Sequence, residues 1–301
     1  MDPEGLKTFL AVHRAGGFSK AADQLGRTQP AISRRIAVLE AQLGTPLFER
    51  AAGGVALSQA GQVLLPHAER VGAALQDAAQ AILALKAGAG PVSIALVGTL
   101  ASTGLTGALK DFSTRFPGVE LSLQTATSAQ VSDLVRRGDA TVGLRYLMDP
   151  SPDLVCERIG GERLMVVAAP DHPLAGRRVA GLVELRAEPW LAFPEVDRRV
   201  EPSARNAFAQ FLLRGVDHIR WTPVDSLTAQ KRLVEAGFGL ALMSASAIGE
   251  EQAAGSIAVI EVDDLDAATP VCLVVRRGGY LSPAASHLCE SLRAEPFFAD
   301  S

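Results

Sequence analysis

Cysteine is scarce in this chain: Cys156, Cys272 and Cys289 are the only three in 301 residues. An odd number, far apart in sequence and without a Cys-x-x-Cys pair, argues against a disulfide framework or a zinc site. Reduced, buried thiols are expected; a redox sensor would need an exposed cysteine of low pKa with a resolving partner. Long apolar runs are missing as well. No stretch approaches the ~18 uninterrupted apolar residues of a membrane helix. The start, Met1-Asp2-Pro3-Glu4, has no basic segment leading into an apolar one. Neither a membrane span nor a secretory signal is expected, and the chain reads as cytoplasmic. Catalytic signatures are equally absent. There is no His-Glu-x-x-His, no Gly-x-Ser-x-Gly elbow and no phosphate loop, and Gly237-Phe238-Gly239 is too little for a dinucleotide fingerprint. No enzyme activity, metal or cofactor is expected.

A strong excess of either charge is also lacking. The net charge is −4, with 21% charged and 48% hydrophobic residues, the composition of a folded globular chain. Its distribution is uneven: residues 1–90 hold nine Lys/Arg against seven Asp/Glu, the remainder twenty against twenty-six. A slightly basic module on an acidic body is consistent with nucleic-acid contact at one end, though the excess is small.

What is present is concentrated between Phe18 and Phe48, FSKAADQLGRTQPAISRRIAVLEAQLGTPLF. Ser19 is a good helix N-cap, Ala21, Ala22 and Leu25 continue a short helix, and Gly26-Arg27-Thr28 supplies a tight turn. Thr28 can cap a second helix with Pro30 in its first turn, where a missing N–H costs nothing. Ile32, Ile36, Leu39 and Leu43 share one face of that helix; Pro30, Arg34 and Ala37 point away, with Gln29 and Ser33 on the flank. The arrangement predicts a helix-turn-helix whose second helix is shaped for a major groove. A plain helical hairpin would share the spacing, so the flanking residues decide.

Those residues are Gly17-Phe18-Ser19 before Ala21-Ala22, then Thr28-Gln29-Pro30-Ala31-Ile32-Ser33, Leu39-Glu40, Leu43-Gly44 and Pro46-Leu47-Phe48-Glu49-Arg50. They closely resemble the LysR-type transcriptional regulators, densely from about Leu6 to Leu65 and more loosely to the C-terminus. Leu6, Phe9, Leu10 and His13 place an apolar face on a first helix, and Val55 and Leu57 with Gly53-Gly54 suggest a two-stranded wing. In the family the wing usually carries basic residues; here Arg50 is its only cation. Ser58 can cap a long helix along which Leu64, Ala68, Val71, Leu75, Ala78, Ile82 and Leu85 alternate spacings of four and three, a seam that asks for a partner helix. The resemblance makes this the linker through which such regulators dimerise. Pro66 should kink it or mark a late start.

Beyond the hinge-like Ala87-Gly88-Ala89-Gly90-Pro91, strands and helices alternate. The pattern predicts a doubly wound α/β domain with a parallel sheet, in two lobes joined by two crossovers. By resemblance this is the effector domain, similar in fold to periplasmic binding proteins. The expected division is a winged helix-turn-helix domain at 1–58, a linker helix at 59–87 and an effector domain at 88–301. Lobe I takes about 91–161 and 269–301, lobe II about 162–268.

Open α/β sheets bind ligands beyond the carboxyl ends of their strands, where helix N-termini favour anions. Thr99 with Ser102, Thr127, Arg145 as counter-charge, Phe193 and Ser226 are the candidate contacts for a small, anionic organic effector, although a helix cap is the commoner role for such hydroxyls. Glu195, beside Phe193, pulls against an anion. Arg34 is the candidate for base readout, with Gln29, Pro30 and Ser33 beside it; Ser19, Thr28, Arg35 and Arg50 suit phosphates. The expected partners are double-stranded DNA bearing an inverted repeat, a small-molecule effector, and a second copy of the chain through the linker helix. By resemblance, dimers pair into a tetramer, with RNA polymerase a further candidate partner. The alternative is a cytoplasmic two-lobed solute-binding protein without a gene-regulatory role, which leaves Phe18 to Phe48 unexplained.

Overall fold

The structure, a computed structural model, describes residues 2–51, 54–87, 90–101, 103–194 and 207–294. Helix α1 (Pro3–Ala15) starts at Asp2, whose carboxylate accepts from Gly5 N–H, and stops at Gly16 in the left-handed region, φ 67°. Helix α2 (Phe18–Leu25) begins one residue earlier than the capping signal suggested. Its N-cap is Gly17, and Ser19 lies inside the first turn. Phe18 is drawn into the helix by packing edge-on against Phe48, ring centroids 5.7 Å apart. Helix α3 (Gln29–Leu43) buries Ile32, Ile36 and Leu39 against α1 and α2. Leu43, expected on that face, is exposed in the last turn beside Gly44. Strands β1 (Phe48–Ala51) and β2 (Gly54–Leu57) pair antiparallel as the wing, whose tip residues 52–53 lie outside the described residues.

Helix α4 (Gln59–Ala87) is one 29-residue helix, about 44 Å long at 1.5 Å per residue. Ser58 Oγ caps it, accepting from Gly61 N–H at 3.1 Å. Pro66 sits inside the helix rather than at a late start. The predicted seam divides. Leu64 and Ala68 pack into the core of the N-terminal module, whereas Val71, Leu75, Ala78, Ile82 and Leu85 are exposed. The opposite stripe, Ala73 and Ala84 with Asp77 and Gln80 between them, is turned to the chain's own body.

The rest contains β3 (Val92–Leu96), α5 (Thr103–Arg115), β4 (Leu121–Thr125), α6 (Ser128–Arg137), β5 (Val142–Tyr146), β6 (Leu154–Ala168), β7 (Arg178–Val179) and β8 (Trp190–Ala192). Then come α7 (Ala207–Leu212), β9 (Trp221–Pro223), α8 (Leu227–Glu235), β10 (Leu240–Ser244), α9 (Ala245–Ala254), β11 (Ala258–Val262), β12 (Ala268–Arg276) and α10 (Pro283–Ala294). The strand path is β4-β3-β5-β12-β6-β10-β8-β9, with β11 also on β6. β4, β3 and β5 are parallel, as are β10, β8 and β9, but β12 and β6 run antiparallel to their neighbours. The sheet is therefore mixed rather than wholly parallel, because β6 and β12 carry the chain between lobes and enter against the local direction. β6 was expected to open near Glu162; it begins at Leu154 and serves both lobes. Lobe I is centred on Ile94, Leu96, Leu144, Leu273 and Leu288, and lobe II on Trp190 against Phe211. Among the described residues no helix is long and apolar enough to cross a membrane.

Candidate functional site

The outer face of α3 is the first candidate. Thr28, Gln29, Pro30, Arg34 and Arg35 are exposed and Ser33 is half-buried, while the apolar stripe behind them fixes the helix on α1 and α2. Gln29 Nε2 donates to Ser33 Oγ at 2.9 Å, so the two flank residues are held as a pair one turn apart. Thr28 is the N-cap, yet its hydroxyl makes no capping bond. The orphan N–H groups of the first turn and that hydroxyl are suited to an anion. Arg35 lies 3.8 Å from Glu4 with both side chains exposed, a weak pair that a phosphate can displace. Ser19 and Arg50 are exposed on α2 and β1. Lys20 and Arg27, also exposed, were passed over by the sequence reading. Their signal was adjacency to Ser19 and Thr28.

The second candidate lies where the lobes meet. Thr99 Oγ1 is 2.9 Å from the Tyr146 hydroxyl, which donates to Glu162 Oε2 at 2.7 Å. From lobe II, Ser246 in the first turn of α9 donates to Glu162 Oε1 at 2.5 Å. Glu162, 3% exposed, thus ties β5 to α9 across the junction. Its cross-strand partner Thr269 is buried with a hydroxyl that finds no partner among the described residues. Sequence reasoning missed Tyr146, Glu162 and Thr269 as site residues; an acid leading into the apolar run Leu164 to Val167 was the available signal.

The other sequence-derived contacts scatter. Thr127 caps α6 in a reciprocal box with Gln130, and Ser226 caps α8, accepting from Ala229 N–H at 3.4 Å. Phe193 is 40% exposed just after β8, and Ser102 and Glu195 lie outside the described residues. Arg145 is not an open counter-charge. Its Nη1 donates to Asp149 at 2.5 Å and to Ser132 of α6 at 2.6 Å, and the side chain is largely buried. Burial pushes the Asp149 pKa up, but hydrogen bonds from Ser132 and Ser151 and the Arg145 charge outweigh it, and the group falls to about 2.

Helix α6 links the two regions. Its capped N-terminus stands at the strand ends of lobe I, and its C-terminus meets the linker. Gly138 (φ 79°) is so close to α4 that an added Cβ would lie 2.5 Å from Gln76 Oε1 and 3.4 Å from Ala73 Cα. Arg137 approaches Glu69 at 3.8 Å, Asp139 approaches Arg14 of α1 at 3.8 Å, and Arg276 bonds Asp77. Burial, with Arg137 and Arg14 nearby, depresses the His13 pKa, which favours its neutral form.

Comparisons with known proteins agree with this geometry. Residues 3–62 match the family model described as a bacterial regulatory helix-turn-helix protein, lysR family, and residues 86–296 match the LysR substrate binding domain. The HTH-type transcriptional regulator CbbR of Rhodospirillum rubrum is 32% identical over 294 residues, covering 96% of this chain and 95% of its own. The crystal structure of CbnR, a LysR family transcriptional regulator, is similar with a TM-score of 0.65 at 25% identity, covering 100% of both chains. Full-length CbnR complexed with its target DNA is similar with a TM-score of 0.63 at 26% identity, covering 97% of this chain and 99% of that one. Both the helix-turn-helix and the two-lobed domain are accounted for, which the solute-binding alternative did not achieve. The chain belongs to the LysR family of DNA-binding transcriptional regulators.

Proposed function

We propose that residues 1–58 read an inverted-repeat operator, residues 59–87 pair two protomers, and residues 88–301 sense a small organic effector in the cytoplasm without catalysing a reaction. The observation that carries this is α3: its apolar stripe is fixed inside the module while Gln29, Pro30, Arg34 and Arg35 face outward. Arg34 reads a base edge, Gln29, Ser33 and Pro30 touch bases or backbone, and Ser19, Thr28, Arg35 and Arg50 hold phosphates. Lys20 and Arg27 add to the phosphate track. Pairing is supported by the open stripe Val71, Leu75, Ala78, Ile82 and Leu85; the dimers join as a tetramer and can meet RNA polymerase.

The effector sits between the lobes near Thr99, Ser102, Thr127, Phe193 and Ser226. Arg145 acts on it through α6 rather than by direct contact, because its guanidinium is held by Asp149 and Ser132. Glu162, whose two carboxylate oxygens already accept from Tyr146 and Ser246, holds the lobes together at the junction rather than meeting the effector directly. Movement of α6 then reaches α4 and α1 through Gly138, Arg137 and Asp139. Coupling of this kind is typically ~1–3 kcal/mol and reciprocal. Isothermal titration with and without operator should show effector affinity changed by about 5- to 150-fold, the size of such a coupling; an affinity unchanged by operator would reject the two-site scheme.

A further inference from the structure

We propose that Cys156 and Cys272 form a peroxide-responsive dithiol beneath α6, a modification site separate from the effector cleft. The fold unites two thiols that lie far apart in sequence. In the strand register Cys272 stands opposite Arg145 of β5, and Cys156 stands opposite Val274, two residues beyond Cys272 on β12. Directly opposed residues, and residues two apart on one strand, share a face. Cys156, Cys272 and Arg145 therefore all point to the α6 side, where Arg145 reaches Ser132. Diagonal cross-strand neighbours are usually too far apart to bridge without adjustment. Here the register shifts between Val271 and Cys272, leaving Ile159 of β6 unopposed, and such a bulge both re-aims side chains and gives the strand local freedom.

The surroundings differ from those of an inert buried thiol. Cys156 is half-buried, whereas Cys272 and Cys289 are buried. Cys272 Sγ donates to Met148 Sδ at 3.5 Å, and Cys156 is its neighbour on the same face of the sheet. Asp149 N–H donates to Cys156 Sγ at 3.3 Å. Leu147, in the left-handed region at φ 62°, turns the chain so that Met148 and Asp149 come over the two sulfurs. Hydrogen bonding with the Cys272 thiol outweighs partial burial, and with Asp149 N–H and the Arg145 charge it holds the Cys156 pKa below the ordinary thiol range. Cys272 keeps its proton and is shifted upward by the same contact. A half-accessible thiolate beside a protonated resolving thiol is the arrangement that favours oxidation followed by bridging.

The oxidant is a hydroperoxide. Cys156 thiolate attacks one peroxide oxygen; the O–O bond breaks, an S–O bond forms, and the leaving hydroxide takes a proton to become water. The Cys272 sulfur then attacks the Cys156 sulfur of the sulfenic acid. The S–O bond breaks as the S–S bond forms, and the Cys272 proton leaves with the hydroxide as a second water. Two thiols and one hydrogen peroxide become one disulfide and two waters. Bridging turns the anionic sulfur acceptor of Asp149 N–H into a neutral, weaker one, and Asp149 anchors Arg145 and thereby the N-terminal half of α6. Oxidation loosens the helix whose far end bears on the linker.

The test treats full-length protein with graded hydrogen peroxide, blocks free thiols by alkylation after denaturation, and maps non-reduced peptides by mass spectrometry. A linked Cys156–Cys272 peptide, about 2 Da lighter than the two thiols, should appear while Cys289 remains alkylatable, because burial pushes Cys289 up to about 11. Its formation should slow as the solution is made acidic enough to protonate Cys156. In Cys272→Ser, dimedone should trap sulfenic acid at Cys156 instead. Cys156 oxidised no faster than Cys289, or carried to sulfinic acid in the native chain without a linked peptide, would overturn the proposal.

Discussion

Ile82→Asp on the open stripe of α4 should dissociate the protomers while leaving each one folded. Ile82 is 55% exposed in the lone chain, and its neighbours on the stripe, Leu75 and Leu85, are 51% and 81% exposed. Fully burying an isoleucine is worth ~1.5–3 kcal/mol, so covering the exposed half contributes ~1–1.5 kcal/mol. A two-fold contact uses the residue twice, giving ~2–3 kcal/mol, and aspartate adds the cost of removing a charge from water. At about 1.4 kcal/mol per tenfold, the dimer should weaken ~30- to 150-fold or more. Sedimentation equilibrium reads this directly, and circular dichroism should show unchanged helix content. Unchanged assembly would mean that the stripe is covered by something other than a second α4.

Other positions give equally direct readings. Gly138→Ala places a β-carbon at φ 79° and against Gln76, which should cost ~1–2 kcal/mol of backbone strain and lower Tm by a few degrees in calorimetry. It should also shift hydrogen exchange in α4 near Ala73, and protection identical to the parent would disconnect α6 from the linker. Asp149 has a folded-state pKa of about 2 against 3.8 for the ordinary group, so its stabilisation is complete above about pH 4 and disappears as pH falls towards 2. Urea midpoints should show ~1–2 kcal/mol lost across that window in the native chain and little of it in Asp149→Asn. Parallel curves for the two proteins would count against the Arg145–Asp149–Ser132 network.

The parts of the molecule legible in sequence are those governed by local chemistry. The stripe Ile32, Ile36, Leu39 appears because helix period and burial coincide, and Gly16, Gly26 and Gly44 stop helices because each takes positive φ. Long-range packing was not legible. Ser19 looked like a cap until Phe18 found Phe48, and Arg145 looked like an open counter-charge until strand pairing brought Asp149 and Ser132 to it. The α4 seam reads as a single stripe in sequence, yet its first residues serve the chain's own module and only the later ones stay open. Cys156 and Cys272 are 116 positions apart, and no spacing rule reveals that β6 and β12 lie side by side.

The most direct test of α3 as the reading element is selection of bound sequences from random duplex DNA by the full-length protein and by Arg34→Ala. The native chain should enrich an inverted repeat with half-sites about one helical turn, ~34–36 Å, apart or a multiple of it. Arg34→Ala should lose preference at one base pair in each half-site, a penalty of ~1–3 kcal/mol per contact. An identical motif from both proteins, or none from the native chain, would contradict the assignment of that helix to the DNA.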